Sequence, residues 1–328
     1  LNDTALPSSY LERYLEPYRD LILGEDVVEL AINPDGLVWV ERQGAEAMER
    51  VERTIEDSAA SNLAATLVGD ARAKVSEKSP LVSGKIEYRG RPLRTQVVVP
   101  PAVERSAAIS IRLFGIGDQT TFEPQYLFDA PVSLDERRQS RVADIQKRAE
   151  VDLPDALALL IRHRLNLLIS GGTSTGKTTF ARHLLKSVSN DERLITIEDA
   201  FELFPTQPNK VCLLAERIPT SERSTNALLQ ASLRMRPDRI VLGELRGFEA
   251  LTYLEAINTG HGGSVTTIHA ETAELAIDRL AIMVLQAGTP LTFAEVQTYI
   301  RKSIDVIVQL GRSQGRRGVS EVLVVGRD

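Results

Sequence analysis

Gly171 and Gly176 stand five positions apart and are followed at once by Lys177 and Thr178. A glycine-rich turn of this spacing lets successive backbone N–H groups approach anionic oxygens. A helix starting at its end adds partial positive charge. Lys177 is expected to reach the β- and γ-phosphates of a nucleotide, and the Thr178 hydroxyl to ligate Mg²⁺. The loop Gly171, Gly172, Thr173, Ser174, Thr175, Gly176, Lys177, Thr178 and Thr179 is therefore read as a nucleotide-binding element. By itself it does not choose among kinase, switch, helicase and motor.

Transfer of a phosphoryl group to water also needs carboxylates near the metal and the attacking water. Two apolar runs end in them: LITI leads into Glu198, Asp199 and Glu202, and RIVLG leads into Glu244. Glu198 and Asp199 have a second reading as caps of the segment that follows. A third run, SVTTI, ends at His269, whose neutral imidazole suits a hydrogen bond to the γ-phosphate or its water. Gly260, Gly262 and Gly263 just before it permit close backbone approach. Arg234, Arg236 and Arg239 crowd the turn before RIVLGE, and Arg94 and Arg112 lie farther forward. Planar guanidinium groups suit charge on a transferring phosphate. By residue type alone, each arginine reads more simply as a surface or ion-pair residue.

Such groups must share one edge. From about residue 154 short apolar runs alternate with helical patterns: LNLLIS, LITIED, DRIVLGE and SVTTIHA as strands, with helices between. That alternation predicts an α/β unit with a mostly parallel sheet, whose strand ends meet on the phosphate-loop edge. The tail from Asp305 reads as two closing strands. Residues 1–115 read as a smaller α+β domain: a helix over SSYLERYLEPYRDLIL, two strands about Asn33-Pro34-Asp35-Gly36, a helical pattern from about Ala45 to Ala73, then three more strands. Residues 116–153 read as a linker, partly packed by Phe122, Tyr126 and Phe128, and 154–328 as the catalytic domain.

Composition bounds the rest. The chain has 328 residues, is 43% hydrophobic and 26% charged, and carries a net charge of -6. Two ordinary domains fit this length. The acidic balance argues against a nucleic-acid-coating protein. A single cysteine excludes an internal disulfide and any multi-cysteine zinc module. No secretory signal is read at the start, and no apolar run approaches the roughly 20 residues a spanning helix needs. A cytoplasmic protein is expected.

GGTSTGKTTF, TIEDAFEL, LRMRPDRIVLGELRG and TGHGGSVTTIHA, in that order, resemble the Walker A, Asp-box, Walker B and His-box motifs of secretion-superfamily ATPases. The resemblance spans residues 165 to about 285. LRTQVVVPP and ISIRLF more loosely resemble the N-terminal pattern of the VirB11-type ATPases of type IV secretion systems. The resemblance implies a RecA-like P-loop motor domain behind an α+β N-terminal domain, with ATP and Mg²⁺ bound between them. It implies a homo-hexameric ring at the cytosolic face of the bacterial inner membrane. Its partners there would be VirB4-like and coupling ATPases, with membrane association through partners and no direct sequence-specific nucleic-acid binding. Glu202 would be the general base or water-orienting residue, and Glu244 the Walker B acid near the metal, with Glu198 and Thr178 as further ligands. His269 and Arg236 would be sensors, and Arg94 and Arg112 would reach the phosphates. Power for substrate translocation or pilus biogenesis is the implied work. A Tad-type pilus assembly ATPase, a RecA-like DNA motor and a nucleotide-gated scaffold without turnover stay open as alternatives.

Overall fold

A computed structural model describes residues 9–114, 124–128 and 130–325. The chain forms two compact units. The first comprises Leu1–Thr121, Asp191–Arg193 and Asn209–Pro237, and the second Phe122–Asn190, Leu194–Pro208 and Asp238–Asp328. The division differs from three consecutive segments, because two later stretches belong to the first unit.

In the first unit, α1 (Tyr10–Leu15) is N-capped by Ser9, whose side chain accepts from the Glu12 N–H. The expected single helix is broken by a 3₁₀ turn over Glu16–Tyr18 before α2 (Arg19–Leu23). Pro17 lies in that turn, and it lacks the N–H that a continuous helix needs there. β1 (Val27–Ile32) and β2 (Leu37–Arg42) follow, joined through Gly36 at φ 80°. The helical pattern expected from Ala45 is replaced at first by β3 (Glu49–Thr54), and α3 runs only over Asp57–Asp70. β3 pairs antiparallel with β2, and sheet pairing overrides its weak local preference. β4 (Leu81–Tyr88), β5 (Arg91–Val98) and β6 (Ala108–Leu113) complete a six-stranded sheet in the order β3-β2-β1-β6-β5-β4. Leu11, Leu15, Ile22, Leu63 and Leu67 bury against Leu30, Ile32, Ile109 and Ile111 to form its core.

In the second unit, α4 (Leu134–Ala149) lies inside the stretch expected as a linker. Ser133 caps it, acids occupy its first turn and bases its last, as the helix dipole favours. Val142 and Ile145 bury its inner face. Tyr126 and Phe128 are exposed, with the Arg137 guanidinium 4.0 Å over the Phe128 ring. The expected packing role of Phe122 lies outside the described residues.

The remaining elements are α5 (Leu153–Arg162), β7 (Leu167–Gly171), α6 (Lys177–Leu185), β8 (Leu194–Glu198), β9 (Lys210–Leu214), α7 (Thr225–Ser232), β10 (Arg239–Leu242), α8 (Glu249–Asn258), β11 (Val265–Ile268), α9 (Ala273–Gln286), α10 (Phe293–Ser303), β12 (Val306–Ser313) and β13 (Arg316–Val324). β9 and α7 fall in the first unit. The second unit's strands run in the order β13-β12-β7-β11-β10-β8. β12, β7, β11, β10 and β8 are mutually parallel, and β13 closes antiparallel on β12. This is the expected α/β architecture, with a mostly parallel sheet in the motor unit and a separate antiparallel sheet built from strands earlier in the sequence. No helix among the described residues is long and apolar enough to cross a membrane.

Candidate nucleotide site

β7 ends at Gly171 and delivers the chain to the loop. A Cβ on Gly171 would sit 2.6 Å from Thr175 Oγ1 and 2.9 Å from the Leu310 carbonyl oxygen. Only glycine fits there. Ser174 takes φ 60° and Gly176 φ 96°. Thr175 Oγ1 donates to the Gly172 carbonyl at 2.9 Å, tying the loop across its own bend. α6 begins with no side-chain cap and no acid in its first turn. Its first N–H groups therefore suit an anion, as the spacing predicts. Thr178 is half-buried in that turn, while Thr173 and Thr179 are exposed.

Lys177 is buried, with Nζ donating to the Gly171 and Gly172 carbonyls at 2.9 and 3.1 Å. Nζ also lies 3.2 Å from His269 Nδ1. Nε2 of that imidazole is 3.2 Å from Glu244 Oε1. Glu244 Oε2 accepts from Arg246 Nη2 at 2.6 Å, and Arg246 Nη1 donates to Asp199 Oδ2 at 2.8 Å. One chain of polar contacts thus links the ends of β7, β11, β10 and β8. Burial lowers the lysine's proton affinity, which the Glu244 charge partly restores. Burial, then the Lys177 charge, hold His269 below the ordinary imidazole range against the pull of Glu244. Neutral imidazole is the form favoured near pH 7.

Backbone contacts fix Glu244 in place. The Gly243 N–H donates to the Ile197 carbonyl at 2.9 Å, Thr267 Oγ1 donates to the Gly243 carbonyl at 2.7 Å, and the Leu245 N–H to the Thr267 carbonyl at 2.8 Å.

Glu198 is differently employed. It is buried, Oε1 accepts from Thr196 Oγ1 at 3.0 Å, and Oε2 accepts from the N–H groups of Glu202 and Leu203 at 2.8 and 2.9 Å. Burial raises its proton affinity and the two N–H donors oppose that. Its oxygens pin the turn that presents Asp199 and Glu202, so the donor set here does not suit a metal ligand. The Glu202 carboxyl is exposed.

Mg²⁺ fits the remaining donors. The Thr178 hydroxyl and Glu244 carboxylate are oxygen ligands of the right hardness. Among the described residues no group of three or more His, Cys, Asp and Glu is placed to hold a metal. A cation that takes most of its ligands from phosphate and water needs no such cage.

Of the expected arginines, Arg94, Arg112, Arg234 and Arg236 lie in the first unit and Arg239 in the second. Arg94 and Arg112 face one another across β5 and β6. Arg94 stacks 5.7 Å over the Phe114 ring, and Arg112 is largely exposed with Nε 4.0 Å from the buried Glu29. Arg236, at φ 53°, donates to Glu41 at 2.7 Å. Arg239 is fully buried, donating to the Gly263 and Ile161 carbonyls at 2.5 and 3.1 Å. Sequence reasoning missed Arg246, although its place two residues after Glu244 was a usable signal. It also missed Arg193, fully buried, which no local pattern marks.

A family model described as type II/IV secretion system protein matches residues 135–327. The type IV secretion system protein VirB11 of Bartonella henselae is 31% identical over 330 residues, covering 94% of this chain and 91% of its own. The conjugal transfer protein TrbB of Rhizobium radiobacter is 32% identical over 300 residues, covering 90% and 83%. The crystal structure of the VirB11 ATPase from the Brucella suis type IV secretion system, in complex with sulphate, superposes with a TM-score of 0.81 at 29% identity, covering 96% of this chain and 94% of that one. With the phosphate loop, its acids and His269 on one sheet edge, this chain belongs to the VirB11-type traffic ATPases of type IV secretion systems.

Proposed function

We propose that this protein hydrolyses ATP as a homo-hexameric motor of a type IV secretion system. It would work at the cytosolic face of the bacterial inner membrane, alongside VirB4-like and coupling ATPases, in substrate translocation, pilus biogenesis or both. The observation that carries the reading is the contact chain Lys177–His269–Glu244 at the mouth of an uncapped, glycine-built loop.

The loop's N–H groups and Lys177 bind the β- and γ-phosphates, and the Lys177 ammonium exchanges its two carbonyl partners for phosphate oxygens. Thr178 and Glu244 would hold Mg²⁺, which would supply charge neutralisation for the phosphate oxygens. Glu202 orients the attacking water and accepts its proton. His269, neutral and in contact with both Lys177 and Glu244, senses whether the γ-phosphate is present. Arg94 and Arg112 contact phosphate, and Arg236 senses it. Differential contacts with ATP and ADP then bias the protomer between two states.

Phosphate release tests the core of this. Lys177→Ala is expected to lower turnover at least 100-fold, and wild-type turnover would refute the assignment. Sedimentation velocity with and without ATP tests the ring, and a monomer under both conditions excludes the hexamer.

A further inference from the structure

The β12–β13 hairpin carries charge that the site described above does not use. Register places Leu310 beside Gly171, and β12 then continues three residues past the end of β7. Its tip turns through Gln314 and Gly315, both at positive φ. Arg312 and Arg317 are direct cross-strand partners on this tip, and Arg316 is next to them. All three are exposed. Among the described residues none has an acid within ion-pair distance. Like charges directly opposed across strands destabilise a hairpin. An anionic partner would relieve that cost.

The surface leading to the tip is built for an extended chain. β13 is the last strand at its end of the sheet, so its outer edge offers backbone groups for pairing. Val319, Val322 and Val324 pair with Leu310, Val308 and Val306, on the same face as the Arg312–Arg317 pair. A groove runs beside this row, where the three valines, Ala149 and Leu153 are partly buried against the second unit's core and Glu150 and Glu321 also stand in the lining. An apolar row with an arginine pair at one end gives an occupant both a register and a direction. Three guanidinium groups with no apolar residue at the tip are too few for a lipid surface, which takes clusters of four to eight. The half-buried valine row beside the pair offers apolar contacts that peptide side chains can use and a phosphate backbone cannot. Guanidinium forks fit carboxylates bidentately.

We infer that the β13 edge, its groove and the Arg312–Arg317 pair form a docking site for an extended acidic segment of a partner protein. Apolar side chains of the segment enter the groove, and its carboxylates meet the hairpin tip.

The test uses the full chain and a fluorescein-labelled peptide, acetyl-Val-Ser-Val-Thr-Val-Glu-Asp-Glu-amide, followed by fluorescence anisotropy. Saturable binding is expected, weakened at least tenfold by salt and by the pair Arg312→Glu with Arg317→Glu. Leu153→Asp, in the groove lining, should weaken it as well, and a lysine-for-acid peptide should not bind. ATPase turnover of the arginine variants should stay at the wild-type level, which shows that they fold. Absence of peptide binding, or binding indifferent to both sets of variants, overturns the proposal. That would leave the arginines only to blunt the edge against self-pairing. Arginine-dependent capture by anionic phosphatidylglycerol vesicles or single-stranded DNA, without peptide binding, overturns it too.

Discussion

Glu29→Gln should change how the first unit's stability depends on pH. Glu29 sits in the middle of β1, 3% exposed, opposite Glu41 on one side and Arg112 on the other. Burial raises its pKa to about 7, with the charges of Arg112, Arg193 and Arg236 opposing and that of Glu41 assisting. From the ordinary 4.5 to about 7 is roughly 2.5 decades in proton affinity, each about 1.4 kcal/mol, or about 3.5 kcal/mol in all. Between those pH values the folded chain binds more protons at this site than the unfolded chain does. The contribution is therefore fully present below about pH 4.5 and is lost as pH rises through 7. Glutamine keeps the shape and removes the titration. The variant should lose this downward slope and be more stable than wild type at pH 8 by roughly 1–3 kcal/mol. Trp39, the single tryptophan, is buried in the neighbouring strand β2. Its fluorescence during urea unfolding at pH 5 to 8.5 reports this unit. An unchanged slope in the variant, or none in wild type, refutes the reasoning.

Glu202→Gln should retain ATP binding by equilibrium dialysis while losing at least 100-fold in phosphate release, and normal turnover would place the base elsewhere. Arg138→Ala should cost roughly 2–3 kcal/mol in the urea midpoint of the second unit. It strands the buried Asp305 carboxylate, which both Arg138 and the Asn166 N–H engage. Gly263→Ala should destabilise by roughly 2–3 kcal/mol in thermal unfolding, because φ is 84° and the new Cβ would lie 2.6 Å from Arg239 Nη1 and 2.8 Å from Arg164 Cα.

The phosphate loop was legible because its requirements are local: glycines for close approach and positive φ, then lysine and threonine at fixed offsets. The parallel sheet was legible from alternation, and with it the meeting of Glu244, His269 and Lys177 on one edge. The division of labour between Glu198 and Glu202 was not. Both are acids after an apolar strand, and only the turn's N–H directions make one a clamp and leave the other exposed. β3 hid in a helical reading because the sequence Glu49–Thr54 has no strong apolar alternation, and its pairing partner lies in another segment. Arg239 read as a surface or ion-pair residue and Arg193 went unmarked, since nothing local announces oxygen acceptors waiting in a core. Helix α4 was the opposite case. Ser133, its acidic first turn and its basic last turn were all readable, but the polar composition of the stretch masked them.

The first unit takes its last residues from late in the chain. Asn33 is fully buried, its Nδ2 donating to Asn209 Oδ1 at 3.1 Å and its Oδ1 accepting from Arg193 at 2.7 Å. A ribosome has delivered everything through Thr121 long before either partner emerges. Until then the Asn33 amide lacks both of these protein partners. The first unit therefore waits, without its late stretches, for about half the remaining synthesis. A fragment stopped at residue 121 inherits that incomplete core, so the two units cannot be prepared as the two halves of one cut.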